Sequence, residues 1–169
     1  MYIRIFAIAL AIGLTAIPVT KVLASDNDEP RPYHSTRNAS QDVEAAFDRA
    51  ALRGTRVLLV MGANWCHDSR GLAARLEQPE FSSLIDLNYE LVYVDVGQRN
   101  RNIDIAKRYG IENIVGTPTV LILTSDGVLL NRDTAPTWRD AASRTDEETL
   151  TYFTAFASGD MIEEHGAQE

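Results

Sequence analysis

The only cysteine of the chain, Cys66, stands in the stretch NWCHDSR, residues 64–70. A thiolate attacks disulfides, and the exchange runs through a mixed disulfide. Cys66 falls where an apolar run, TRVLLVMG, gives way to a helical pattern, CHDSRGLAARL. The first N–H groups of a helix lack intrahelical partners and carry partial positive charge, which favours a thiolate there. Ser69 lies three residues on, facing the same side of the first turn. Its hydroxyl can donate a hydrogen bond to the thiolate and favour the charged form, but it cannot attack a mixed disulfide. His67 and Arg70 would add to this effect when charged and close, and Asp68 would oppose it. The competing reading is a tolerated loop cysteine with no chemistry, and these residues alone leave both open.

Other chemistries are poorly served. His34, His67 and His165 are the only histidines, and the adjacent Cys66-His67 pair lacks zinc-site spacing, so no metal site is expected. There is no G-x-S-x-G motif. Adjacent residues at a helix start point apart, so nothing marks His67 as a base for Cys66. Trp65 reads as a surface residue lining the thiol, whereas Trp138 can cover that site or pack elsewhere.

The elements that must hold Cys66 follow from periodicity and breakers. Residues 25–39 read as an extended polar leader, not a packed element. In SQDVEAAFDRAALRG, Ser40 is the expected N-cap, Val43, Ala46, Phe47, Ala50 and Ala51 recur at helical spacing, and Gly54 marks the end. TRVLLVMG reads as a central strand covered on both faces. The helix at Cys66 runs toward Pro79, and EFSSLIDLNY is a further helical piece. YELVYVDVG is a second strand and NIDIAKRYGI a short helix ending at Gly110. TPTVLILTSDGVLLNRD predicts two strands around Ser125-Asp126-Gly127. Residues 133–144 read as an irregular added loop. TDEETLTYFTAFASG predicts a last helix capped by Thr145, with Leu150, Phe153, Phe156 and Ala157 on its apolar face. Residues 159–169 read as a frayed tail. The order predicts an α/β fold, one domain over 40–158, with a central mixed sheet of about four strands between helices. The first two strands should be parallel through a right-handed crossover and the last pair antiparallel.

A length of 169 residues supports one domain and hardly two. The net charge of −8 argues against a nucleic-acid binder, which needs a basic footprint, and equally against adhesion to an acidic membrane surface. Arg4, the apolar run over 5–19 and the small or β-branched residues Val22 and Ala24 predict a secretory signal peptide over 1–24, cut before Ser25. The rival is an uncleaved anchor, but the run falls short of the roughly 20 residues that span a bilayer. The expected destination is the periplasm or the exterior, with no stable membrane anchor after cleavage. Disulfides persist there, yet one cysteine can form no internal bridge. It is either buried and inert or a free thiol kept for chemistry.

VLLVMGANWCHDS, followed by YELVYVDV and then GTPTVLILTSDG, resembles the thioredoxin-like superfamily over roughly 40–158. Trp65-Cys66-x-x-Ser69 occupies the place of that family's Trp-Cys-x-x-Cys, and Asp126-Gly127 matches its hairpin turn. Thr117-Pro118 matches the site whose proline is cis and packs beside the active thiol. The resemblance implies a three-layer α/β/α fold with Cys66 and Ser69 as the catalytic pair. It implies Trp65, His67, Thr117 and Pro118 as substrate-binding residues, the Thr117 backbone pairing with an extended peptide. Two departures go together. Ser69 replaces the second thiol, and Val60 replaces a buried acid associated with proton transfer to that thiol. The implied function is single-thiol disulfide exchange or isomerisation on exported proteins that carry thiols or disulfides. Such a protein would act as a monomer without a bound cofactor, and glutathione or another small thiol would resolve the adduct as co-substrate. The alternative is a non-catalytic binding module that uses the groove beside Pro118.

Overall fold

The apolar run of the sequence forms β1 (Arg56–Gly62), buried throughout after Arg56. The computed structural model describes residues 29–158; the expected signal peptide over 1–24 and the tail over 159–169 lie outside them. β2 (Tyr89–Asp95) runs parallel to β1, from Arg56 opposite Tyr89 to Gly62 opposite Asp95. β3 (Thr119–Leu123) runs antiparallel on its other side, from Val57 opposite Leu123 to Met61 opposite Thr119. The sheet order is therefore β2-β1-β3.

Because β1 is central, its alternate residues feed two cores. Val57, Leu59 and Met61 pack with α1 (Ala39–Arg53) and α4 (Ile103–Arg108) through Val43, Ala46, Ala50 and Ile105. Leu58 and Val60 face α2 (His67–Leu76), α3 (Pro79–Asn88) and α5 (Asp146–Ser158) through Leu72, Leu76, Phe81, Ile85 and Phe153. Helices on both faces make the three layers expected of this element order. At the last helix, the Thr145 hydroxyl accepts the Glu148 N–H at 3.1 Å and the Glu148 carboxylate accepts the Thr145 N–H at 2.8 Å, a reciprocal cap.

The structure corrects four sequence expectations. The sheet has three strands among the described residues, not about four. After the turn at Gly127 (φ 91°) only Leu129 bridges back to Leu123. The Asn131 side chain does part of the missing strand's work, accepting the Ile122 N–H and donating to the Val120 carbonyl, each at 2.8 Å. The N-cap of α1 is Asn38, whose Oδ1 accepts the Gln41 N–H at 3.2 Å, so the helix begins ahead of Ser40.

Residues 29–38 of the leader lack helix and strand but are packed, and Ala39 already belongs to α1. Tyr33 is only 3% exposed and meets Tyr93 edge-on at 5.4 Å. Residues 133–144 are not irregular: Ala135–Ser143 forms 3-10 turns with a kink at Asp140. Trp138 there is fully buried, stacked on Phe153 at 5.1 Å and edge-on to Tyr152 at 4.8 Å, with the Arg144 guanidinium 4.2 Å above its ring. Its aromatic partners lie on α5, so it belongs to the core and does not cover Cys66.

Candidate functional site

Cys66 is the N-cap residue of α2, extended at φ −87° and ψ 122°, and is partly exposed. Its thiol donates to the Thr117 carbonyl at 3.1 Å. The Thr117–Pro118 peptide bond is cis. The entry to β3 thus lies against the start of α2, and two sequence positions 51 residues apart meet at one sulfur. Trp65 is 49% exposed, with its indole N–H on the Gly97 carbonyl at 2.8 Å. Val115, two residues before Thr117, is 56% exposed. Thr117 itself is buried.

Ser69 does not take the expected role toward the thiol. It is fully buried, and its hydroxyl accepts the Ala63 N–H at 3.4 Å. Among the described residues no hydrogen bond joins it to Cys66. The reason lies beneath it. A Cβ on Gly62 would stand 2.6 Å from Ser69 Oγ and 2.7 Å from the Tyr33 ring carbon and hydroxyl, so only glycine leaves room for this stack. The Tyr33 hydroxyl donates to the Ser69 carbonyl at 3.3 Å. Burial, with Tyr93 alongside, pushes the Tyr33 phenol well above its ordinary value, so it stays a neutral donor.

The turn before Cys66 is held from the leader. The Tyr33 N–H donates to Asn64 Oδ1 at 3.1 Å, and Asn64 Nδ2 donates back to the Tyr33 carbonyl at 2.8 Å. The Asn64 carbonyl accepts from Arg31 at 3.2 Å and Arg70 at 3.1 Å. Arg70, nearly buried, is also paired with Glu29 at 2.9 Å. The His67 ring is 67% exposed, with Nδ1 3.7 Å from Glu29. Asp68 turns aside and accepts the Ala142 N–H at 3.0 Å, joining α2 to the 3-10 segment. Among the described residues no group of three or more His, Cys, Asp or Glu side chains is placed to hold a metal.

The profile of the thioredoxin-like family matches residues 38–125. The chain belongs to the thioredoxin-like family. It is also similar to a solved disulphide isomerase from Xylella fastidiosa Temecula1, at 30% identity and a TM-score of 0.69, over 75% of this chain and 97% of that one. No match was found among curated proteins.

Within this thioredoxin-like chain, the structure brings together Cys66, Thr117 and Pro118 from the residues the sequence singled out. Trp65 is anchored beside them, and His67 points to solvent near Glu29. Val60 is buried in the middle of β1 with no acid in its place. Sequence reasoning missed Tyr33, Asn64 and Glu29. A lone aromatic in a polar leader was the available signal for the first, and the other two had none.

Proposed function

We propose that this thioredoxin-like chain is an exported protein that performs disulfide exchange or isomerisation with the single thiol of Cys66. The observation that carries the reading is the partly exposed residue Cys66, its sulfur 3.1 Å from the carbonyl of the residue before cis Pro118, with Ser69 buried one turn on. The similarity to a disulphide isomerase supports the same class of chemistry. The Cys66 thiolate attacks one sulfur of a substrate disulfide. The substrate S–S bond breaks, a Cys66–substrate S–S bond forms, and the other substrate sulfur leaves as a thiolate. A second thiolate then attacks the mixed disulfide, and Cys66 leaves as a thiolate. When that second thiolate belongs to the substrate, the pairing is rearranged with no net oxidation. When it belongs to glutathione or another small thiol, the substrate is reduced and the small thiol becomes oxidised. Ser69 cannot serve as the second nucleophile toward sulfur, so the chain does not close the cycle alone.

The test is reactivation of a scrambled disulfide protein by the purified chain, with and without reduced glutathione, beside Cys66→Ser. Glutathione-dependent reactivation that is lost in Cys66→Ser is the expected result. Equal rates for the two chains would overturn the exchange reading. Peptide binding retained in that case would identify a binding module instead. Export is checked separately, by fractionating cells and sequencing the N-terminus of the product.

A further inference from the structure

The two margins of the sheet differ. β3 is covered by Leu129 and by the Asn131 amide, whereas β2 pairs only with β1 among the described residues. Among those residues no backbone hydrogen bond from the leader or α1 reaches 90–95. Beside this edge lies a cavity of about 310 Å³, lined in part by Leu91, Val92 and Tyr93. Successive strand residues point to opposite faces of a sheet. Val92 joins one core, and Leu91 and Tyr93 pack against the other. Three in a row meet one cavity only along the strand's margin, so the cavity runs beside the unpaired backbone of β2. One wall is a single face of α1, formed by Asp42, Ala45 and Arg49 at helical spacing. The other wall is the leader, at Pro32 and His34. Pro30 and Pro32 have no N–H to give to a ladder, so the leader borders the edge without pairing with it.

We propose that the outer edge of β2 is a docking groove for an extended, acidic segment of another protein, taken up as an added strand. Strand addition satisfies the free backbone groups, and the walls select the side chains. The walls also set the sign of the charge. Asp42 holds the Arg37 guanidinium through two bonds of 2.7 Å. The Arg49 guanidinium is fixed at the strand itself, its Nε donating to Glu90 Oε2 at 2.6 Å. Arg53 donates to the other oxygen of that carboxylate. Two arginines thus share one acid, which leaves one positive charge in excess at the groove. The terminal nitrogens of Arg49 make no hydrogen bond among the described residues. The Arg37 and Arg49 side chains are more than half exposed, whereas Glu90 is buried and Asp42 mostly covered, so an incoming strand meets the cations first. Carboxylates on every second residue of that strand would face such a wall. A second copy of the chain fits poorly. Pairing edge to edge brings the same arginines together, and both chains carry a net charge of −8.

The test uses the purified chain and the peptide Thr-Val-Glu-Val-Glu-Val-Thr, blocked at both ends and as long as the seven residues of β2. The peptide has no cysteine, so its binding is independent of the exchange reading. Amide NMR should show shifts at 90–95 and on the facing side of α1, with slowed exchange at the outward amides of β2. A version with lysine in place of glutamate should bind more weakly. In Arg49→Gln, Arg53 still pairs with Glu90, and affinity should fall about twofold to fivefold. Arg49→Lys should restore most of it, and added salt should weaken wild-type binding. Methylating the peptide nitrogens along one margin should abolish binding, and along the other margin should spare it. Absence of shifts at 90–95, equal affinity for the lysine peptide, or indifference to methylation at both margins would overturn the proposal. Slow exchange of the outward β2 amides without peptide would overturn it too. The occupant is then a second copy if that protection grows with concentration, and a segment of the same chain if it does not.

Discussion

Gly62 ends β1 directly above the stack of Ser69 and Tyr33, and Gly62→Ala tests how tightly that stack is built. The added methyl would meet Ser69 Oγ at 2.6 Å and Tyr33 at 2.7 Å. Neither neighbour is a free side-chain tip. Ser69 is fixed in the first turn of α2 and accepts from Ala63. Tyr33 is held by the paired hydrogen bonds to Asn64 and by its contact with Tyr93. Overpacking of this kind costs about 1–3 kcal/mol, whereas replacing a strand glycine recovers about 0.5–1 kcal/mol of backbone entropy. The expected net destabilisation is about 0.5–2 kcal/mol. Urea unfolding reads it as a midpoint lowered by on the order of 0.5 M at unchanged slope. Tyr33→Leu, which removes both offending Tyr33 atoms, should cost about 1–3 kcal/mol alone. The double variant should be less destabilised than the sum by about 1 kcal/mol, because the methyl then enters vacated space. A Gly62→Ala chain as stable as wild type, or strict additivity in the cycle, would refute the argument that the leader is packed onto the site through Gly62.

Two further predictions follow from the charged contacts. Asp68→Ala removes the carboxylate that holds the Ala142 N–H and should cost about 1.5–3 kcal/mol. Hydrogen exchange over 135–143 should speed up relative to α1, and equal protection in both chains would contradict the tether. Glu90 is buried, which by itself would raise its carboxyl, but hydrogen bonds from Arg49 and Arg53 outweigh this and hold it below the ordinary value. A depressed folded-state value means stability that is present above the unfolded value, about 4.5, and lost as pH falls through the folded one. Unfolding measured between pH 7 and pH 3 should therefore show a shallower acid loss in Glu90→Gln than in wild type, and parallel curves would refute the assignment.

The parts of the fold visible in the sequence are those written locally. The unbroken apolar run of β1 announces a strand covered on both faces, and Thr145 with Glu148 announces a helix start. The site core was visible through resemblance, because Trp65, Cys66, Thr117 and Pro118 occur in a recognisable order. What stayed hidden depends on partners far along the chain. Tyr33 sits among polar and proline residues, and its burial is decided by Asn64 and Ser69, more than thirty positions away. Trp138 has polar neighbours in sequence but aromatic neighbours on α5 in space. Ser69 lies on the correct side of the first turn, yet spacing along one helix cannot reveal that Gly62 opens a space for it on the far side.

Asn131 has a consequence for the chain outside its own fold. The outer margin of β3 would otherwise offer the Ile122 N–H and the Val120 carbonyl as a template for a strand from another molecule. One amide occupies both groups, and Tyr152 holds that amide in turn at 2.8 Å. Protection of the sheet edge and sheet architecture thus rest on the same side chain. Losing it would leave the molecule open to edge-to-edge aggregation on that side, where concentration, more than unfolding, would govern the outcome.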